Sequence, residues 1–253
     1  MGPLSRTVKD AAYILQAIAG IDPKDNYTYS IPAGGKIPDY IAACKLTALS
    51  GTRLGIPRDV ISLYYNADKT IEPQIKAFDG ILKVLSAAGA TIVDNTNFTA
   101  STEFFNSQLS PVLRNADFVV NLPSYLDQLT YNPRNITSLS DLRNFTQTYP
   151  PEDYPTRDTG IWDAALQADA YNNTEPRFWP AYQQNWYYNG DGGLLGAIKR
   201  HNLDAVLLPT HFASGQATTV GAPIVTVPLG YYPANAPIVY NSWGLVESAP
   251  GIP

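Results

Sequence analysis

The sequence predicts an α/β fold in which a mixed β-sheet is flanked by helices. Two short apolar runs, residues 205–208 and 224–227, are each followed by a proline, which is typical of strands buried on both faces of a sheet. A third apolar run, residues 54–56, precedes a helical pattern at about residues 72–88, and a strand-like run at residues 91–93 follows it. This order of strand, helix and strand predicts a right-handed crossover that joins two parallel strands.

The chain opens with an amphipathic helix. Thr7 and Asp10 have the spacing of an N-terminal capping box, and Asp22-Pro23 ends the pattern. The apolar positions of this helix share one face and are Val8, Ala11, Ala12, Leu15, Ile18 and Ala19. Residues 26–38 are rich in Pro, Gly, Tyr and Ser, and they predict an ordered surface loop before the first strand.

The middle of the chain is predicted to be helical. In the helix between the first two strands, Pro73 suits the first turn and Gly89 is placed to end it. A longer helix over residues 101–121 is expected to break or kink at Pro111, and a second piece covers residues 124–129. Ile71, Ile75, Phe78, Leu82 and Leu85 line one side of the first of these helices.

Residues 131–180 change in character, because prolines, asparagines and aromatic residues dominate them. They predict a lid-like or wrapping region with short helices at residues 140–145 and 162–170. An aromatic helix at residues 177–188 and a further helix at residues 193–201 then lead to the third strand. Aromatic residues at helical spacing more often form core than a ligand platform.

The two apolar runs near the C-terminus both face a predicted loop, residues 209–223. Ligands of parallel sheets sit in the crevice beyond the strand ends, so this loop is the candidate wall of a substrate site. The wall candidates are Thr210, His211, Phe212, Ser214 and Gly221. A serine hydrolase would use Ser214 as nucleophile and His211 as base. Because no third group or oxyanion donor can be named, both are interpreted as ordinary polar residues.

Composition excludes several classes of function. A net charge of -5 and scattered Lys and Arg argue against nucleic acid and anionic membranes as partners. No apolar run approaches the roughly 20 residues of a membrane span, and the first residues lack the apolar core of a signal peptide. The single Cys44 and the two histidines, His201 and His211, argue against a metal site. The chain contains no phosphate loop or other cofactor motif, so no cofactor is expected.

The chain contains five Asn-X-Thr sequons. They begin at Asn26, Asn97, Asn135, Asn144 and Asn172. Five such sequons in segments that read as loops or helix edges make these asparagines candidate glycosylation sites. They favour a secreted or secretory-pathway location for the protein to which this chain belongs.

Several stretches together resemble the amidase signature family. Residues 2–12, Gly-Pro-Leu-Ser-Arg-Thr-Val-Lys-Asp-Ala-Ala, and residues 18–25 resemble the segment that closes the signature region of that family. Residues 203–210 and 221–230, the latter Gly-Ala-Pro-Ile-Val-Thr-Val-Pro-Leu-Gly, resemble its second half. Residues 249–253 resemble the motif just before its last strand. The match covers the chain from end to end in the right order.

The resemblance implies an amidase-signature fold that is incomplete at both ends, with residues 1–253 forming one partial domain. Enzymes of this family hydrolyse carboxylic amides with a Ser, cis-Ser, Lys triad and backbone N–H groups that stabilise the oxyanion. Both serines belong to a Gly-Gly-Ser-Ser-Gly-Gly run upstream of Gly2 and Pro3, with the Lys still further upstream. No such run occurs here, so no catalytic residue is assigned to this chain. Arg6 and Asp10 match the motif and are interpreted as a structural charged pair on one helix turn.

The sequence therefore predicts the C-terminal portion of a secreted fungal-type amidase, because the mid-chain stretch around Tyr149-Pro150-Pro151-Glu152 is closest to those members. This portion would carry part of the wall of a site for a small-molecule amide and would need the missing N-terminal half. One alternative is an independent serine hydrolase that uses Ser214 and His211. Another is a noncatalytic secreted binding module that uses its aromatic residues.

Overall fold

The computed structural model of the protein describes residues 2–31, 33–167, 172–209, 212–241 and 244–252. Within these ranges the chain forms eleven α-helices and five short β-strands. The helices are α1 (Val8–Ile18), α2 (Tyr40–Ala43), α3 (Arg58–Ala67), α4 (Glu72–Ala87), α5 (Ser101–Asn106), α6 (Leu109–Leu126), α7 (Leu139–Thr148), α8 (Gly160–Ala165), α9 (Phe178–Asn189), α10 (Leu194–His201) and α11 (Ala213–Val220). The strands are β1 (Arg53–Ile56), β2 (Thr91–Asp94), β3 (Ala205–Val206), β4 (Val239–Tyr240) and β5 (Val246–Ser248).

The central sheet contains β1, β2 and β3, with β1 between the other two. Both pairings are parallel: Leu54 of β1 lies opposite Ile92 of β2 on one side and Ala205 of β3 on the other. The α/β class and the parallel crossover through α4 are therefore confirmed. The central sheet itself is parallel and not mixed, because β4 and β5, the antiparallel strands among the described residues, form a separate pair.

Helices pack against the two faces of this sheet. Val206 and Leu207 are consecutive, so their side chains point to opposite faces of an extended strand. Leu207 joins a cluster with Ile56 of β1 and Phe78 of α4. Val206 joins a second cluster that includes Ala197 of α10. Two further clusters, centred on α6, join that helix to α7, α8 and α9, so the wrapping region has a core of its own.

Most helices agree with the sequence pattern, and the differences have local causes. Thr7 caps α1 as predicted, since its hydroxyl accepts a hydrogen bond of 3.1 Å from the Asp10 N–H. The break in the long helix falls at residues 107–108, and Pro111 lies in the first turn of α6, where a missing N–H leaves no helical bond unmade. Pro123 lies inside α6, which continues to Leu126, so the predicted separate helix at 124–129 is wrong.

Two elements differ more strongly from the prediction. Helix α3 lies between β1 and α4, where no helix was predicted, and buries Val60 and Ile61. Residues 224–227 form no strand and are largely exposed, with Val225 at 72% of its maximal exposure. The described sheet offers this run no neighbouring strand, and an extended segment without a partner leaves its N–H and C=O groups to water.

A large apolar surface is exposed at both ends of the chain. The accessible surface is 16887 Å² for a chain of 27.6 kDa, whereas a compact monomer of this mass exposes about 11,000 Å². In α1 only Ala12 is buried, so most of the predicted apolar face of this helix is not covered. Exposed apolar side chains are frequent on α1 and in residues 224–241 and 244–252.

Replacing Val225 by Lys is expected to lower aggregation of the isolated chain severalfold. The substitution removes an apolar side chain that is 72% exposed and adds a charge to an unpaired extended segment. Light scattering during slow heating measures the effect. Thr226→Lys is the matched control, since it adds the same charge to the same segment without removing an apolar group. A wild-type chain that stays monomeric and unfolds cooperatively on heating would contradict this expectation.

Candidate functional site

The predicted substrate wall, residues 209–223, is mostly helical. Thr210 and His211 lie outside the described residues. Phe212 precedes α11, Ser214 lies in its first turn, and Gly221 ends it. The predicted loop is therefore wrong for most of its length, because residues 213–220 form a helix that packs against α9.

Phe212 is fully buried, with an exposed fraction of 0%. Its ring stacks on Tyr64 of α3 at a centroid distance of 4.1 Å and an interplanar angle of 9°. Tyr64 in turn meets Phe105 of α5 edge to face at 5.3 Å. Burial raises the pKa of the Tyr64 phenol, as expected for a group whose charged form is poorly solvated. Tyr64 thus links Phe212 and Phe105 in an aromatic stack that joins α3, α5 and the start of α11.

The other two described wall candidates have different surroundings. Ser214 is exposed, and its carbonyl accepts a hydrogen bond of 2.6 Å from the Thr218 hydroxyl one turn later. Gly221 has φ of +68°, a left-handed conformation that glycine adopts without steric cost. Its N–H and that of Ala222 both bond back to α11 carbonyls, so Gly221 forms the C-terminal cap of α11.

A charged cluster that the sequence analysis missed lies at the carboxyl edge of the sheet. Arg58 follows β1, and its guanidinium donates from Nε to Asp94 at 2.7 Å and from Nη1 to Asp79 at 2.6 Å. These contacts join the start of α3 to the end of β2 and to α4. The Arg58 guanidinium lowers the pKa of the Asp94 carboxyl, and the hydrogen bond with Asp94 is the main cause of the raised pKa of Arg58.

Replacing Asp94 by Asn is expected to lower the free energy of unfolding at neutral pH by at most about 1 kcal/mol, since both partners are partly exposed. The folded-state pKa of Asp94 is lowered, so its contribution is fully present above the ordinary Asp pKa, about 4. That contribution is lost as the pH falls through the lowered value. The difference between wild type and variant should therefore disappear in acid. Urea titrations followed by tryptophan fluorescence at pH 7, 4 and 2.5 test this.

The exposed Asp127, which follows α6, provides the control for this titration. The free energy of unfolding of Asp127→Asn should differ little from that of the wild type at the three pH values. A constant difference for Asp94→Asn between neutral pH and pH 2.5 would contradict the assigned role of the Arg58 ion pair.

A second pair of residues closes the same edge of the sheet. Asn97 Oδ1 accepts a hydrogen bond of 3.2 Å from the Asp59 N–H, and Asp59 Oδ2 accepts one of 3.0 Å from the Phe98 N–H. The reciprocal bonds cap the start of α3 and fix the chain after β2. Polar residues directly after β1 and β2 were the sequence signal for this cluster, because the carboxyl ends of parallel strands meet at one edge.

The N-terminal motif residues lie at the exposed start of the chain. Gly2 and Pro3 precede the cap of α1, and Arg6 and Asp10 are both exposed. The Asp10 carboxylate accepts a hydrogen bond of 2.7 Å from the Thr7 hydroxyl. Within the described residues Arg6 and Asp10 do not form an ion pair, so the expected charged pair is corrected to a capping interaction between Thr7 and Asp10.

The part of the chain that the structure describes offers few other candidate sites. No group of three or more His, Cys, Asp or Glu side chains is placed to hold a metal ion there. No described helix is both long and apolar enough to cross a bilayer. An open depression of about 510 Å³ lies beside β2, lined by Leu82, Lys83 and Ile92 among others. It is separate from the Phe212 stack, so it does not extend the predicted wall.

The sequence matches the family model described as Amidase over residues 1–224. A protein from Arthroderma benhamiae named "Putative amidase" is 48% identical over 253 residues, which cover all of this chain and 42% of that protein. A relative from Schizosaccharomyces pombe with the same description is 28% identical over 278 residues, covering 96% of this chain and 46% of the relative. The chain thus spans less than half the length of these curated relatives.

Solved structures support the same fold. The peptide amidase of Stenotrophomonas maltophilia superposes with a TM-score of 0.68 at 23% identity, covering 87% of this chain and 44% of that one. An amidase family protein from Bacillus anthracis gives a TM-score of 0.71 at 24% identity, over 91% of this chain and 42% of that one. The family model, which matches residues 1–224, shows that the chain belongs to the amidase family.

Proposed function

We propose that this chain is the C-terminal portion of an amidase that hydrolyses the C–N bond of small-molecule carboxylic amides. The observation that carries the proposal is the 48% identity along all 253 residues to a relative of which they cover 42%. In the complete enzyme, residues that precede this portion would supply the Lys and the two serines of the family triad. This chain would supply scaffold and part of the wall around the substrate.

The distribution of exposed apolar surface supports this assignment of roles to the two parts of the enzyme. The chain exposes about half as much surface again as a compact monomer of its mass. Exposed apolar groups are frequent on α1 and in residues 224–241 and 244–252. Contact with a further part of the same enzyme would bury them and would give residues 224–227 a strand partner.

The parent enzyme is proposed to enter the secretory pathway. All five sequon asparagines are exposed, although they come from five different parts of the chain. By contrast, Asn185 and Asn189 are buried and lie outside any sequon. Exposure at every sequon is what a secreted glycoprotein requires, because a glycan is bulky and must remain in solvent.

The coding sequence upstream of Met1 tests this proposal. An open reading frame that encodes a signal peptide, a Lys and a Gly-Gly-Ser-Ser-Gly-Gly run would support it. The complete protein should then hydrolyse amides, and Ala in place of the nucleophilic serine of that run should abolish turnover. An upstream reading frame that stops without these features would contradict the proposal and would favour the independent hydrolase.

A further inference from the structure

N-glycosylation modifies the side-chain nitrogen of asparagine, so the hydrogen bonds of that nitrogen bear on whether a sequon can be used. Four asparagines that do not begin a sequon donate a hydrogen bond from Nδ2 to another protein atom, over 2.8 to 3.2 Å. They are Asn106, Asn132, Asn173 and Asn189. Among the described residues, none of the five sequon asparagines uses Nδ2 in this way.

Where a sequon asparagine does form a side-chain hydrogen bond, its side-chain oxygen Oδ1 is the acceptor. Asn97 Oδ1 accepts the N–H of Asp59 at 3.2 Å. Asn172 Oδ1 accepts both the N–H of Thr174 at 3.0 Å and its hydroxyl at 2.9 Å. An N-linked glycan leaves this carbonyl oxygen unchanged, since the sugar is attached to nitrogen. The native hydrogen bonds and the modification are therefore compatible at both positions.

We propose that Asn26, Asn97, Asn135, Asn144 and Asn172 all carry N-linked glycans in the folded protein. In the transfer, Nδ2 attacks C1 of an oligosaccharide held on a lipid pyrophosphate. The C1–N bond forms, the C1–O bond to pyrophosphate breaks, the pyrophosphate leaves with the electron pair, and Nδ2 loses one of its two protons. The inference rests on the proposed secretory route, because that compartment supplies the lipid-linked donor.

Two of these glycans would lie on one surface. Asn135 follows Arg134, whose guanidinium carbon lies 5.6 Å from the centre of the Tyr149 ring and 5.8 Å from that of Phe145. Asn144 directly precedes Phe145 in α7. Asn135 and Asn144 are thus each one residue from a member of this cation–π cluster, and glycans at both positions would lie near it.

The experiment uses the whole chain, directed to the secretory pathway of a eukaryotic host by a cleavable signal. Glycosidase treatment in ¹⁸O-labelled water converts each glycosylated Asn to a labelled Asp, which peptide mass spectrometry locates. The label is expected at all five positions, and each single Asn→Gln variant should lose one glycan and retain the other four. An unlabelled, intact Asn at any of the five positions in the folded protein would overturn the proposal.

Gln108→Thr provides a matched control, because it creates a new sequon at Asn106. Position 108 is the N-cap of α6, where Thr is a favoured residue, so the substitution itself should be tolerated. Asn106 Nδ2 donates to the Thr102 carbonyl at 2.9 Å, and a glycan there replaces one of the two Nδ2 protons and places a sugar beside that bond. Glycosylation of this sixth site should lower the urea midpoint relative to protein made under tunicamycin, whereas the five native glycans should not lower it.

A lower urea midpoint of the wild-type chain with its native glycans than without them would also overturn the proposal. The outcome is independent of the proposed hydrolysis, since glycan occupancy is read from peptides and the proposed amidase activity from substrate turnover.

Discussion

The isolated 253-residue chain is expected to show no hydrolysis of carboxylic amides above the uncatalysed rate. Acyl transfer requires an activated nucleophile and oxyanion donors, and loss of the nucleophile or its base lowers kcat on the order of 10⁶-fold in a serine hydrolase. Under the proposed function, both serines and the Lys of the triad would lie outside this chain. Turnover of a panel of aryl and aliphatic amides, compared with heat-inactivated protein, measures the effect.

Ser214→Ala provides the decisive control for this experiment. Ser214 is exposed in the first turn of α11, so its replacement by Ala should leave the fold intact. If the wild-type chain turns over an amide and Ser214→Ala does not, the alternative of an independent hydrolase replaces the proposed function. If a complete protein with the upstream residues turns over amides and the isolated chain does not, the proposed function is supported.

Replacing Phe212 by Ala is expected to lower the free energy of unfolding by about 3–5 kcal/mol, the usual range for removal of a buried aromatic ring. Phe212 is 0% exposed and stacks on Tyr64 at 4.1 Å, so the substitution leaves a cavity and an unpaired ring face. Stability margins of ~5–15 kcal/mol make this a large effect. Urea unfolding followed by tryptophan fluorescence at low protein concentration measures it.

Phe118→Ala is the matched control, because Phe118 lies on α6 and is 39% exposed. Phe118→Ala should therefore lower the free energy of unfolding much less than Phe212→Ala does. A loss below about 1 kcal/mol for Phe212→Ala would show that the aromatic stack does not stabilise the fold. In the complete enzyme, one contact in the substrate pocket would change the preference between substrates by about 1–3 kcal/mol. Because Phe212 is fully buried, we instead expect Phe212→Ala to reduce activity equally on all substrates.

Local patterns in the sequence determined the central part of the fold. Residues 54–56, 72–88 and 91–93 predicted a parallel strand pair joined by a helix, and β1, α4 and β2 have that arrangement. Thr7 with Asp10 predicted the cap of α1, and Gly89, with φ of +100°, follows α4 as expected. These features depend on short-range spacing and on conformations that only particular residues adopt, so a single sequence contains them.

Long-range contacts decided the remaining features. Residues 224–227 have the composition of a buried strand, but a strand forms only where a neighbour accepts its hydrogen bonds, and the described sheet provides none. Residues 213–220 form a helix with little sequence periodicity, which is stabilised by its packing on α9. Propensity is a weak signal for such a segment, because tertiary contacts override it.

The same distinction between local sequence and long-range contacts applies to the candidate site. The sequence determined the family, because motif residues such as Gly2, Pro3 and residues 221–230 occur in the right order. Only the tertiary structure decided that Phe212 is buried against Tyr64, that Gly221 caps a helix, and that Arg58 bridges Asp79 and Asp94. These contacts join residues that are far apart in the chain, and burial of a side chain depends on what the rest of the chain places over it.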